Sequence, residues 1–175
     1  MDLIWGGYMK RGIIKYMTVG IIMGSKSDLD VMQAAADVLQ EFGVEHEVRI
    51  ISAHRTPDEM NDYAKSAQSR GLKVIIAGAG GSAHLPGMTA SHTTLPVLAV
   101  PIKKNPHDHE ALWSNIKMPP GIPLATMPEN GGKNAGLFAI EILCLSDPEL
   151  AEKYQQFRID QQDKVLSDDK SLGNA

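Results

Sequence analysis

Three short segments of the chain concentrate residue types that hold anions and move protons. The first is Gly24-Ser25-Lys26-Ser27-Asp28. Gly24 lets the backbone come close to a ligand, and Ser25 and Ser27 supply hydroxyls. If a helix opens here, its unpaired N–H groups and positive dipole end favour a phosphate. The Gly-x-x-x-x-Gly-Lys-Ser/Thr spacing is absent, so this is not a Walker loop. On its own the segment also reads as an ordinary helix cap. The second segment is Ser52-Ala53-His54-Arg55-Thr56-Pro57. A histidine titrates near neutrality and can give and take a proton, and an arginine grips a phosphate or carboxylate with two parallel hydrogen bonds. The third is Gly78-Ala79-Gly80-Gly81-Ser82-Ala83-His84-Leu85-Pro86-Gly87-Met88. Its small residues permit close approach and backbone N–H donation. The Gly-x-Gly-Gly spacing is not Gly-x-Gly-x-x-Gly, and no acidic residue follows at the proper distance, which argues against a dinucleotide site.

Two further candidates carry less. His107-Asp108-His109-Glu110 invites a metal reading. Alternate residues on a helix point to different faces, so a polar helix start is the better reading and no metal is expected. Cys144 lies in an apolar helical stretch without a histidine near it in sequence and reads as a core thiol.

The three segments need elements that present them together. Thr18–Met23 is a β-branched apolar run ending at Gly24 and reads as a buried strand. Asp28 or Ser27 can cap a helix whose apolar positions Val31, Met32, Ala35, Leu39 and Phe42 recur at helical spacing, with Gly43 as its stop. A second strand spans His46–Ile51. Thr56-Pro57-Asp58-Glu59 has the form of a capping box with proline at the first helical position, opening a helix that reaches Gly71. Strands at Lys73–Ala77, Pro96–Val100 and Ile122–Thr126 alternate with helices over Leu85–Ser91, Asp108–Ile116 and Ala135–Leu145. A last helix starts at Ser146-Asp147-Pro148-Glu149 and reaches about Val165. Leu150, Tyr154 and Phe157 on it can pack on their own domain or across subunits.

This alternation predicts a three-layer α/β/α domain, a parallel sheet of flavodoxin-like type. In such sheets ligands sit at the carboxyl ends of the strands, where all three segments fall. Residues 17–166 are expected to form a single α/β domain, the one that would carry any catalysis. Residues 1–16 read as a leader or a mis-assigned start, with Met17 as the natural one, and residues 167–175 read as a frayed tail. The net charge of −4 argues against a nucleic-acid partner, and no apolar run is long enough to span a membrane. The lone cysteine has no disulfide partner in the chain, which fits a cytoplasmic protein.

Taken together, in order and at fitting distances, Gly-Ser-Lys-Ser-Asp at 24–28, Ser-Ala-His-Arg-Thr-Pro at 52–57 and Ala-Gly-Ala-Gly-Gly-Ser-Ala-His-Leu-Pro-Gly-Met at 77–88 resemble the N5-carboxyaminoimidazole ribonucleotide mutase family, the class I catalytic subunits of bacterial phosphoribosylaminoimidazole carboxylase. Met118-Pro119 and Gly121-Ile122-Pro123 share the likeness, which runs from about Thr18 to about Val165. The resemblance implies a homo-octameric isomerase of purine biosynthesis with no cofactor and a small-molecule substrate. It implies His54 as the catalytic acid/base. It implies Gly24, Ser25, Asp28, Ser52 and Arg55 as substrate-binding residues, and Gly78, Ala79, Gly80, Gly81, Ser82, His84 and Leu85 as the wall around the imidazole and its carboxylate. Two segments depart from the mutase pattern. Ile102–Glu110 lacks the usual small-residue loop. Lys133-Asn134-Ala135 looks more like a sister class that carboxylates aminoimidazole ribonucleotide directly with CO2. A non-enzymatic mononucleotide-binding protein of the same fold is a third reading, disfavoured by an aromatic content of 5% that leaves few rings to sandwich a flavin.

Overall fold

The computed structural model describes residues 18–173. The expected leader at 1–16 and residues 174–175 lie outside the described residues. Five strands, β1 (Val19–Met23), β2 (His46–Ile50), β3 (Val74–Gly80), β4 (Val97–Ile102) and β5 (Ala125–Thr126), form one parallel sheet in the order β2-β1-β3-β4-β5. Six α-helices alternate with them: α1 (Leu29–Glu41), α2 (Pro57–Ala67), α3 (His84–Ser91), α4 (Glu110–Ile116), α5 (Gly132–Cys144) and α6 (Pro148–Leu172). This is the expected three-layer flavodoxin-like arrangement, with its topological switch between β1 and β3.

The strands are apolar on both faces, and successive residues serve opposite layers. Ile21, Met23, Ile76 and Val100 pack with α1, α5 and α6, whereas Ile22, Ile75, Ala77 and Val97 pack with α2, α3 and α4. Two glycines one turn apart bring α5 onto α1. A Cβ at Gly132 would lie 2.0 Å from the Val31 carbonyl oxygen, and one at Gly136 would lie 2.9 Å from that of Ala35. That close packing fixes α1, and with it the loop at its start.

Several boundaries differ from expectation. β3 continues through Gly78, Ala79 and Gly80, which pair with Val100, Pro101 and Ile102 of β4. The glycine stretch therefore starts as strand and becomes loop only at Gly81, where φ is +60°. β4 likewise runs past Val100 to Ile102. β5 is reduced to Ala125–Thr126, because Pro120 and Pro123 cannot donate to a ladder and Gly121 turns the chain at φ +98°. The last helix extends to Leu172, past the end expected near Val165. Asp147 caps it by accepting the Leu150 N–H at 3.0 Å, and no proline or glycine interrupts it until Gly173. Leu150, Tyr154 and Phe157 pack on their own domain: Leu150 is buried, and Phe157 meets Phe42 edge-on at 5.4 Å between centroids, whereas Ile159, Val165, Leu166 and Leu172 further along are exposed. Among the described residues, no helix is long and apolar enough to cross a membrane.

Candidate active site

Every strand but the short β5 delivers its carboxyl end to one cavity of about 410 Å³, lined among others by Gly24, Ser25, Asp28, Ser52, His54, Arg55, Gly80, His84 and Lys104. From β1 the chain enters a 3-10 turn, Lys26–Asp28, whose N-cap is Ser25: its Oγ accepts from the Ser27 N–H at 3.3 Å and from the Ser27 hydroxyl at 3.0 Å. Gly24 is pinned from behind, its N–H donating to the Gly78 carbonyl at 3.3 Å. Asp28 holds the N-cap position of α1 without making a capping hydrogen bond. Its carboxylate is buried and pairs with the Lys104 ammonium at 2.9 Å. An unpaired buried carboxylate would be costly, and the lysine removes most of that cost.

The loop after β2 is tied at both ends. The Thr56 hydroxyl accepts the Ser52 N–H at 2.9 Å and donates to the Ser52 carbonyl at 3.1 Å. The expected capping box is therefore absent, and Thr56 closes the loop that displays His54 and Arg55. Arg55 reaches across to the loop after β1, where Nη2 donates to the Gly24 carbonyl at 2.6 Å, while Nε donates to the Ser52 Oγ of its own loop at 3.2 Å. Its remaining N–H groups make no hydrogen bond among the described residues, so the guanidinium keeps donors for an anion.

His54 and His84 meet at the cavity mouth, with Nε2 of His54 2.8 Å from Nδ1 of His84 and the rings edge to face. At that separation one nitrogen donates and the other accepts, so a single proton lies between the rings and each fixes the other's tautomer. Both side chains are exposed toward the cavity. Ala83, held in the left-handed region at φ +41°, aims His84 there as α3 begins. A proton-transfer group whose second nitrogen is held by a partner is the arrangement general acid/base chemistry needs.

A family model described as AIR carboxylase matches residues 18–164. The chain belongs to the AIR carboxylase family. Curated relatives named N5-carboxyaminoimidazole ribonucleotide mutase include one from Thermotoga maritima, 53% identical over 149 residues, covering 85% of this chain and 87% of the relative. Another, from Aquifex aeolicus, is 59% identical over 136 residues, covering 77% and 81%. The crystal structure of Treponema denticola PurE superposes with a TM-score of 0.81 at 31% identity, covering 89% of this chain and 98% of that one. The family likeness read from the three motifs is thereby borne out.

Within this member of the AIR carboxylase family, the expected residues do not all reach the cavity. Gly24, Ser25, Asp28, Ser52, His54, Arg55, Ala79, Gly80, Ser82, His84 and Leu85 line it; Gly78 and Gly81 do not. Gly78 is buried against α1, where a Cβ would lie 2.3 Å from the Met32 sulfur, so its part is to let β3 and α1 close behind Gly24. Gly81 forms the exposed turn. Ser82 lines the cavity, yet its hydroxyl donates to Glu110 at 3.1 Å and its carbonyl accepts from the Ser114 hydroxyl.

Lys104 is the residue the sequence reading missed. With β4 expected to end at Val100, Lys103 and Lys104 fall beyond the strand; with β4 running to Ile102, they stand at its end. His109 pairs with Glu129 at 2.8 Å rather than with its histidine neighbour, and Lys103 joins the same carboxylate at 3.2 Å. Partial desolvation pushes the Glu129 carboxyl up, but hydrogen bonds from His109 and Lys103 outweigh it and hold the group below its usual range. Among the described residues, no three metal-ligating side chains converge.

Proposed function

We propose that this chain interconverts N5-carboxyaminoimidazole ribonucleotide and its C4-carboxylated isomer, with His54 as the acid/base. The observation that carries this reading is the His54–His84 pair at the mouth of a cavity that also gathers Arg55, Asp28 and Ser25. The names borne by the relatives agree with it. Arg55 and the serine loop suit the ribose phosphate end of the substrate, and the backbone of Ala79 and Gly80 suits the flat imidazole. His54 gives a proton to the exocyclic nitrogen as the N–C bond breaks, which releases CO2 and the amine. C4 attacks the CO2 held beside it, and His54 takes the C4 proton as the ring regains aromaticity. The histidine ends as it began, and no other reactant is consumed. Holding CO2 in place turns a bimolecular encounter into a local one, and the proton transfers typically supply about 100- to 10,000-fold.

The direct carboxylase reading rests on Lys133-Asn134-Ala135. Those residues open α5 and are not among the residues lining the cavity, whereas Arg55, Gly80 and Ser82 are. A flavin carrier is disfavoured because no Phe, Tyr or Trp is among the lining residues. We place the enzyme in the cytoplasm as a homo-octamer, with 17–166 as its catalytic domain. Val48 and Ile50 on edge strand β2 and Trp113 on α4 are between 40% and 55% exposed and offer apolar surface for subunit contacts. Light scattering on the purified protein checks the mass.

The test is carbon tracing. N5-carboxyaminoimidazole ribonucleotide labelled in its carboxylate is incubated with enzyme and excess unlabelled bicarbonate. The expected product keeps the label in spite of the unlabelled bicarbonate, and a parallel incubation with no added bicarbonate forms it as well. Product formed solely from aminoimidazole ribonucleotide and bicarbonate moves the chain to the direct carboxylases, and no product from either substrate removes the enzymatic reading.

A further inference from the structure

Resting on the reading that the substrate is a ribonucleotide, we infer that Lys104 is a further substrate-binding residue, a cation that Asp28 holds ready for the substrate's phosphate. The Lys104 ammonium has three donors. Two are engaged, one by Asp28 Oδ1 at 2.9 Å and one by the Ser27 hydroxyl at 2.8 Å. The third is left for a ligand, and the side chain, 56% exposed, borders the cavity. On the other side of the same loop Arg55 donates to the Gly24 carbonyl, so two cations straddle Gly24–Ser27. The formal charges point the same way. Among the lining residues Asp28 and Arg55 sum to zero, and Lys104 adds a positive charge that a phosphate dianion would favour.

The chain is built to put that ammonium there. Beyond the last paired residue of β4, the Asn130 side chain acts as a substitute strand: its Oδ1 accepts the Lys103 N–H at 2.8 Å and its Nδ2 donates to the Lys103 carbonyl at 3.2 Å. Asn130 itself sits at φ +56°, with its own N–H on the Pro101 carbonyl at 2.9 Å. The extended backbone so enforced sends Lys103 to Glu129 and the next side chain, Lys104, the opposite way. Gly80 lets the last residues of β3 and β4 lie close, since a Cβ there would crowd the Ile102 carbonyl at 3.0 Å; the Lys104 stem, 3.7 Å away, would be in ordinary contact with it. Asn130 is thus a positioning residue that acts through Lys104.

The experiment measures binding of ribose 5-phosphate and of ribose by calorimetry, on wild type, Lys104→Met, Lys104→Arg, Asn130→Ala and the Lys104→Met/Asn130→Ala double variant, each checked for folding by circular dichroism. A lost charge-assisted contact corresponds to about 10-fold weaker ribose 5-phosphate binding in Lys104→Met, with ribose unchanged. Lys104→Arg keeps most of the affinity if the first variant fails to fold. Asn130→Ala loses about threefold, and the double variant is no weaker than Lys104→Met alone, a non-additivity that a merely structural Asn130 would not produce. With the carboxylated substrate, KM rises in Lys104→Met while kcat holds. Equal affinity for ribose 5-phosphate in wild type and Lys104→Met, or an equal loss for ribose, overturns the inference. If wild type binds ribose 5-phosphate through Lys104 yet turns over no carboxyaminoimidazole ribonucleotide, the functional reading fails and the Lys104 site stands. If turnover is normal and KM does not respond to Lys104→Met, the Lys104 site fails alone.

Discussion

The two ends of the sheet hold cavities of unlike character. At the amino ends of the strands, a cavity of about 610 Å³ lies among Thr18, Phe42, Lys73, Leu150 and Lys153; at the carboxyl ends lies the 410 Å³ cavity with His54. The larger one has more volume and more apolar lining, yet its lining includes no histidine and no arginine, and Asp147 there is spent on capping α6. The smaller one collects residues from four strand ends. Function follows convergence of donors, acceptors and a proton carrier rather than empty space, and a parallel sheet produces that convergence at one end because each strand empties into a loop there.

Substitutions that spare one end and strike the other sharpen this contrast. The largest effect among them belongs to Gly78→Val. Its side chain would collide with Met32 behind Gly24, so the variant should lose about 1–3 kcal/mol of stability by urea denaturation, along with most of its activity. A Gly78→Val protein as stable and active as wild type would break the claim that this glycine seats the phosphate-side loop. Next comes His84→Asn. Loss of the 2.8 Å contact frees the His54 ring, and kcat should fall about 10-fold with KM little changed. Lys73→Ala and Lys153→Ala at the other end should leave kcat/KM within about twofold; a larger loss would mean that the 610 Å³ cavity takes part in the reaction.

The sequence exposed the strand-helix alternation, the three strand-end segments and the family. It did so because apolar periodicity is local and because Gly24, His54 and Arg55 each follow a strand within a few residues and Gly80 ends one. Partnerships across the chain were not legible in that way. The Asp28–Lys104 pair joins residues 76 positions apart (104 − 28), and nothing in the composition of either segment selects the other. The packing of Gly78 on Met32 and the bond from Ser52 to Thr56 were not legible for the same reason. A glycine that admits Met32 and a glycine that admits a ligand look identical in sequence, and Thr56 had a capping-box spacing that a bond to Ser52 overrode.

The smallest expected effect is a pH dependence. Folding lowers the Glu129 carboxyl pKa, so the anchoring it gives to the Lys103 segment is fully present above the ordinary glutamate range and is lost as pH falls through the lowered value. The stability difference between wild type and Glu129→Gln, followed by denaturation in a pH series, should therefore persist at neutral pH and vanish in acid. A difference that grows toward low pH would contradict the sign.

The most direct test of the central claim is turnover of N5-carboxyaminoimidazole ribonucleotide by wild type and by folded His54→Asn, without added bicarbonate. The account expects conversion by wild type and a loss of about 100- to 10,000-fold in kcat for the variant, with ribose 5-phosphate binding retained. Conversion by His54→Asn at the wild-type rate would contradict it.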